Sequence, residues 1–249
     1  MRKRKTLGIL GGLGPMSSVY FYEMLTAHTK AQKDQDHLNI LISSRADIPD
    51  RTDFILGRSE GNPLPAMKNE VARLALAGAE IIAIPCNTAH YFYNGVTADS
   101  PVPILNIIRE TAKLCRFLGL SKVGVLATEG TAISGAYRDT LAEFGIEYMT
   151  CSEDDQKVVT DIIYGSVKKG KEPDIDEFLR VADSLTSQGC ERIILGCTEL
   201  SLLKKNCRLG KRFIDSLEVL ALRAICECGA LPIGFDAELL KFSNGKDTK

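Results

Sequence analysis

Two cysteines sit at matching places in two similar phrases of this chain. Cys86 closes the apolar run of IIAIPCNTAH and is followed by Asn87 and Thr88; Cys197 closes the run of ILGCTEL and is followed by Thr198. A short, Ile-rich apolar run ending in small hydrogen-bonding residues reads as a buried parallel strand that delivers its last residue to a loop or helix start. Open α/β sheets place their ligands at such carboxyl ends, and the N–H groups of a following helix favour a thiolate. Two thiols facing each other across a cleft suit removal of a proton from a carbon beside a carboxylate and return of one to the opposite face, which needs an acid and a base on two sides of a plane. A thiol with an ordinary pKa of about 8.5 serves in either role with modest tuning, and the reaction calls for no cofactor. Racemisation of an α-amino acid has that symmetry.

Other chemistries fit less well. The turn Gly11–Gly14 invites a dinucleotide reading, but Ser17 stands where the third glycine belongs and the acid expected about 20 residues on is missing. Its glycines suit a close approach to some small ligand or anion. No Walker-type phosphate loop occurs. Cys86 and His90 are spaced for one helix face, but no second Cys or His pair completes a zinc set. With only His28, His37 and His90 in the chain, a Cys86–His90 hydrolase is a further reading, which leaves Cys197 without a purpose. Cysteine is also an ordinary small core residue, and that assignment is made for Cys115, Cys151 and Cys190.

The elements that must position Cys86 and Cys197 alternate. Strands are expected at Thr6–Leu10, Leu38–Ser43, up to Cys86, Pro103–Leu105, Lys122–Ala127, Ile146–Met149, up to Cys197 and Phe213–Ile214. Helices are expected at Val19–Lys30, capped by Ser17 and Ser18, at Ala66–Ala77, after Leu105 with Cys115 on the apolar face, over Ile133, Tyr137, Leu141 and Phe144, after Ser152, after Asp174, and at Leu217–Cys228. Strand–helix alternation argues for parallel sheets covered by helices. The order repeats: ILGGLG and VLATEG are 116 positions apart and the two cysteines 111. The fold class expected is therefore α/β in two pseudo-symmetric lobes, each a parallel sheet flanked by helices, with the site in the cleft between them. Residues 1–106 with 212–249 are assigned to the first lobe and 107–211 to the second. Residues 44–65, rich in Asp, Arg, Gly and Pro, form a long loop with a helical turn after Pro49, suited to be a lid. Ser243–Lys249 reads as a frayed polar tail.

Composition narrows the partners. At 249 residues and 45% hydrophobic the chain can bury a large core, and 31 basic against 32 acidic residues offer no basic surface for nucleic acid or membrane. The expected partner is a small molecule or a second copy. The start MRKRKTLGILGGLGPM reads as a first strand and its turn rather than a secretory leader, no apolar stretch approaches the roughly 18 residues of a spanning helix, and eight cysteines are then expected as free thiols in the cytoplasm.

The motifs ILGGLGP at Ile9, IPDRT at Ile48, PCNTAH at Pro85, ATEGT at Ala127, VKKG at Val167 and GCTEL at Gly196 resemble the aspartate/glutamate racemase family, the cofactor-independent amino-acid racemases, and most of all its aspartate branch. The resemblance runs to about Cys228. It implies two α/β lobes, commonly a homodimer, and a small dicarboxylic amino acid, aspartate or glutamate, as substrate. It implies that Cys86 and Cys197 are the two bases and that Asn87, Thr88 and Thr198 bind the α-carboxylate and amine. It further implies that Arg51 and Lys168, or its neighbour Lys169, hold the distal carboxylate, with Thr131 closing the loop beside them. Retention of both cysteines favours true racemisation. Glutamate, a hydantoin or maleate as substrate, and a non-catalytic amino-acid-binding protein, are the alternatives.

Overall fold

The computed structural model describes residues 4–207 and 209–244. Its first half runs β1 (Leu7–Gly11), α1 (Pro15–His28), β2 (Ile40–Ser44), α2 (Arg51–Ile55), α3 (Leu64–Leu76), β3 (Ile81–Ala83), α4 (Tyr93–Thr97), β4 (Ile104–Leu105) and α5 (Ile107–Phe117). The second half repeats the plan with β5 (Lys122–Leu126), α6 (Glu129–Ser134), α7 (Ala136–Glu143), β6 (Glu147–Thr150), α8 (Glu153–Thr160), α9 (Ile175–Ser187), β7 (Arg192–Leu195), α10 (Thr198–Cys207), β8 (Phe213–Asp215) and α11 (Ser216–Glu227), followed by α12 (Ala237–Asn244). Two four-stranded parallel sheets result, in the orders β2-β1-β3-β4 and β6-β5-β7-β8. The cysteine strands β3 and β7 occupy equivalent interior positions, each beside the lobe's first strand.

The central strands are apolar without alternation because helices cover both faces. Every residue of β1 is buried, as are those of β3. Gly8 in β1 lets α3 and the loop after it come close, since a Cβ there would lie 2.9 Å from the Cβ of Ala79 and 3.0 Å from Cγ1 of Ile82. One core cluster runs through both lobes, joining Leu7, Ile9 and Phe21 of the first to Val123, Tyr137 and Leu141 of the second. Helices α5 and α11 carry it: they pack on each other, α5 also against α7 and α11 also against α1.

Several expectations change. Helix α1 starts at Pro15, whose fixed φ and missing N–H suit the first helical position. Ser18 lies inside it, accepting from Gly12 N at 2.9 Å and donating to Gly14 O at 3.1 Å, so it shapes the glycine turn instead of capping. The single helix expected over Ile133–Phe144 is two, broken by Gly135 at φ +70°, which leaves Ile133 exposed while Tyr137 and Leu141 are buried. Strand Phe213–Asp215, expected to rejoin the first lobe, is hydrogen-bonded to β7 in the second sheet. The helix after it does reach the first lobe's α1. Of the expected frayed tail, Ser243 and Asn244 end α12, and 245–249 lie outside the described residues. The 44–65 segment contains the expected helical turn as α2, capped by Asp50, and it is docked on the second lobe.

Filling the close contact at Gly8 is expected to strain the first sheet. Gly8→Ala should lower stability by roughly 1–3 kcal/mol, the usual cost of overpacking a tight core, measured as a shift of the denaturant midpoint at unchanged slope.

Candidate functional site

The chain leaves β3 through Ile84 and Pro85 to Cys86, and leaves β7 through Gly196 to Cys197. Both thiols are buried at 5% exposure and both line one cleft between the lobes. The remaining lining is Leu13, Asp50, Arg51, Thr52, Asn87, Thr88, Thr128, Tyr164, Lys168, Thr198 and Glu199. The free space it encloses is about 10 Å³, room for roughly one water. The walls Leu13, Asp50, Arg51, Lys168 and Glu199 are shared with a wider groove of about 410 Å³ on the other side, edged by Pro15, Met16, Val167 and Leu202.

Of the residues singled out in the sequence, Arg51, Cys86, Asn87, Thr88, Lys168, Cys197 and Thr198 line the cleft together. Thr131 does not. It stands behind, in a triangle of hydroxyls in which Thr88, Thr128 and Thr131 lie 2.9–3.0 Å apart, tying the first lobe to the second. Thr128, which caps α6, is the member of ATEGT that reaches the cleft. Lys169 lines a separate outer groove, so Lys168 is the lysine at the site. The Asn87 side chain is turned to Tyr137 and Ser216 of the second lobe.

Arg51 opens α2 and is buried at 7% exposure. Its terminal nitrogens donate to main-chain carbonyls, Nη2 to Leu13 at 2.9 Å and Nη1 to Pro49 at 3.0 Å and Ile48 at 3.3 Å. Its Nε is buried with no hydrogen-bond partner, and among the described residues no carboxylate lies within 4.0 Å of the guanidinium. A buried cation so held is poised for an anion. Lys168 follows a π-helical stretch, Asp161–Ser166, that carries Tyr164, and both residues line the cleft. Lys168 Nζ lies 4.4 Å from the Tyr164 ring centre and 3.9 Å from Glu199 Oε1. Tyr164 donates to Thr52 Oγ1 at 3.0 Å, and Arg58 pairs with Glu129 at 2.8 Å. These contacts hold the segment around α2 across the mouth of the cleft.

The main residue missed from the sequence is Glu199, two positions after Cys197 in the same motif. Its carboxylate accepts from Cys197 Sγ at 3.0 Å and Thr198 Oγ1 at 3.4 Å. The absence of a side chain at Gly14 makes room for it, since a Cβ there would lie 2.6 Å from Glu199 Oε1. The close approach expected of the glycine turn is therefore to this carboxylate. Cys197 also departs from the thiolate expected at a helix start: burial pushes its thiol well above the ordinary range, Glu199's charge and hydrogen bond push the same way, and Lys168 pulls against them. Thr128 could have been noticed as the Thr before Glu in ATEGT; Tyr164 carries no signal of its own.

His90 does not act on a thiol. Ile107 N donates to its Nε2 at 3.3 Å, which leaves Nδ1–H to donate to the carbonyl of Cys86 at 2.8 Å. Burial lowers its pKa, so it supports the Cys86 loop as a neutral ring. Among the described residues no group of three or more His, Cys, Asp or Glu side chains is arranged to hold a metal ion, and no helix is long and apolar enough to cross a membrane.

The model of the family described as Asp/Glu/Hydantoin racemase matches residues 10–224. The aspartate racemase of Picrophilus torridus is 28% identical, with a TM-score of 0.78 over 96% of this chain and 99% of that one. An aspartate racemase homologue from Pyrococcus horikoshii OT3 is 27% identical, with a TM-score of 0.73 over 90% of this chain and 99% of that one. In sequence, the broad specificity amino-acid racemase of Bacillus subtilis (strain 168) is 28% identical over 219 residues, 86% of this chain and 94% of its own length.

The Cys197–Glu199 contact gives a direct check. In Glu199→Gln the charge favouring the thiol is gone, so the thiolate forms more readily. The pH midpoint for alkylation of Cys197, followed by peptide mass spectrometry, is expected to fall below that of the parent protein.

Proposed function

Because this chain is a member of the Asp/Glu/hydantoin racemase family, and so an amino-acid racemase, we propose that it interconverts L- and D-aspartate through the two thiols. The observation that carries the substrate is the pairing, in one cleft, of two cysteines with two cations, one of which, Arg51, is buried without a carboxylate partner. An aspartate has two carboxylates to offer. One goes to Arg51 and Lys168, the other to the hydroxyls and N–H groups of Thr88 and Thr198. This places the α-carbon between the thiols.

One thiolate then takes the α-proton, the electron pair passes toward the α-carboxylate, and the opposite thiol gives a proton to the other face. In one direction Cys197, its thiol favoured by burial and by Glu199, is the donor, and Cys86 takes the α-proton. In the reverse direction the roles exchange: Cys197, left as the thiolate once its proton has gone to the α-carbon, takes the α-proton, and Cys86, protonated by the first abstraction, returns one to the opposite face. With free space for roughly one water, the cleft admits substrate only when its mouth opens. The segment around α2, held by Tyr164 and Arg58, is the part we assign to that opening.

A second reading, turnover of a wider range of amino acids, is favoured by the 410 Å³ groove behind Arg51 and Glu199, which could receive a longer side chain. The Bacillus subtilis relative carries a broad-specificity name.

Incubation with L-aspartate in heavy water, followed by NMR and chiral chromatography, tests the assignment, and a panel of amino acids separates the two readings. Cys86→Ser and Cys197→Ser should each reduce racemisation by about 10²–10⁴-fold, the usual worth of a positioned acid or base. Near parental racemisation by either variant would refute the two-base mechanism. Arg51→Ala should raise KM for aspartate roughly 10- to 100-fold, matching loss of a charge-assisted hydrogen bond of about 1.5–3 kcal/mol, whereas KM for an amino acid without a second carboxylate should change little.

A further inference from the structure

Racemisation by two thiols depends on their separation. Proton transfer needs the α-carbon within a short reach of both sulfurs, and a misplacement of about 1 Å costs up to ~10²-fold in rate. The cysteines belong to different lobes, so something must set the span between β3's tip and β7's tip. Tyr137 of α7 lies between those tips. It is 1% exposed and is among the largest fully buried side chains of the molecule.

Its two ends meet the two cysteine loops. The hydroxyl donates to Oδ1 of Asn87, the residue after Cys86, at 2.7 Å. The ring packs on Gly196, the residue before Cys197: a Cβ at Gly196 would lie 3.1 Å from Tyr137 Cε2. A second path runs alongside. Asn87 Nδ2 donates to Ser216 Oγ at 3.0 Å, and Ser216 Oγ donates to the carbonyl of Leu195, two residues before Cys197, at 2.7 Å. The direction of every proton in this chain is forced, because the Leu195 carbonyl can only accept: Ser216 must donate to it, Asn87 must present its NH₂ to Ser216, and its carbonyl end is left for Tyr137. Buried and hydrogen-bonded end to end, such a network fixes geometry strongly. Among the described residues it has no counterpart at the other cysteine. At the position equivalent to Asn87, Thr198 turns to Glu199 instead.

We propose that Tyr137 is a positioning residue that fixes the distance between the two cysteine loops, with Asn87 and Ser216 as its bracket. Asn87 thereby holds the Cys86 loop to the second lobe. This inference rests on the two-thiol reading above. Loosening the bracket leaves each thiol able to take the proton from its own side, but impairs delivery from the other.

The variants that test it are Tyr137→Phe, which keeps the ring and removes the hydroxyl, and Ser216→Ala, which breaks the second path; neither touches the substrate. Rates of α-deuterium incorporation and of inversion are measured from L- and D-aspartate in heavy water, with thermal melting run alongside. The expected result is a fall in kcat for inversion of about 10-fold or more, KM within about twofold, and a several-fold rise in the ratio of exchange to inversion. A merely structural role would lower exchange and inversion in proportion, and that result, or a parental ratio in both variants, would overturn the proposal. Should one variant fail to fold, the other decides. If the parent protein neither exchanges nor inverts aspartate, or inverts it with one cysteine replaced, it is the two-thiol reading that falls. A parent that needs both cysteines while both variants keep its ratio condemns only the bracket.

Discussion

Helices α5 and α11 each follow the last strand of one sheet and then bury their apolar faces against a helix of the other lobe, α7 and α1 respectively, as well as against each other. The consequence is a single hydrophobic core through both lobes. With the core shared, the two sheets cannot rotate independently without exposing Phe21, Leu141, Leu217 and Ile225, all buried at 1% or less. Burial of apolar area on that scale dominates the forces holding a domain together. The carboxyl ends of β3 and β7 are therefore held facing a common cleft, and every polar arrangement in the site is built on that constraint.

The repeat brings two equivalent thiols together, and local chemistry then makes them unequal. Cys197 has a carboxylate two residues on, packed into the space left by Gly14, so its proton is retained. Cys86 has a neutral histidine bonded to its carbonyl. Because the cleft is nearly closed, water screens these charges little, and one carboxylate or guanidinium weighs more than it would at the surface. Arg51 is tolerated there because three main-chain carbonyls share its donors while its charge awaits a partner.

Much of this was legible in the chain itself. Alternation of apolar runs with helical spacing, and the offsets of 116 and 111 positions, are one-dimensional signals of two parallel lobes. Cysteines placed where strands end point to the site for the same reason. What was read wrongly depended on contacts distant in sequence. Strand Phe213–Asp215 takes its place by pairing with β7, which nothing in three residues can announce. Ser17 and Ser18 look like caps until Pro15 starts the helix ahead of them.

By itself, then, the sequence determined the strand–helix rhythm, the duplication and the pair of thiols at equivalent strand ends, because periodicity and spacing are local properties of a chain, and its motifs pointed to Arg51 and to one of Lys168 and Lys169. Only the tertiary structure decided that Thr131 stands behind Thr88 while Thr128 reaches the cleft, that Lys168 and not Lys169 faces it, that Glu199 holds the proton of Cys197, and that Tyr137 spans the two cysteine loops. Each of these rests on groups from different lobes meeting within about 3–4 Å, the range over which hydrogen bonds and buried charges act, and that proximity is created by the shared core.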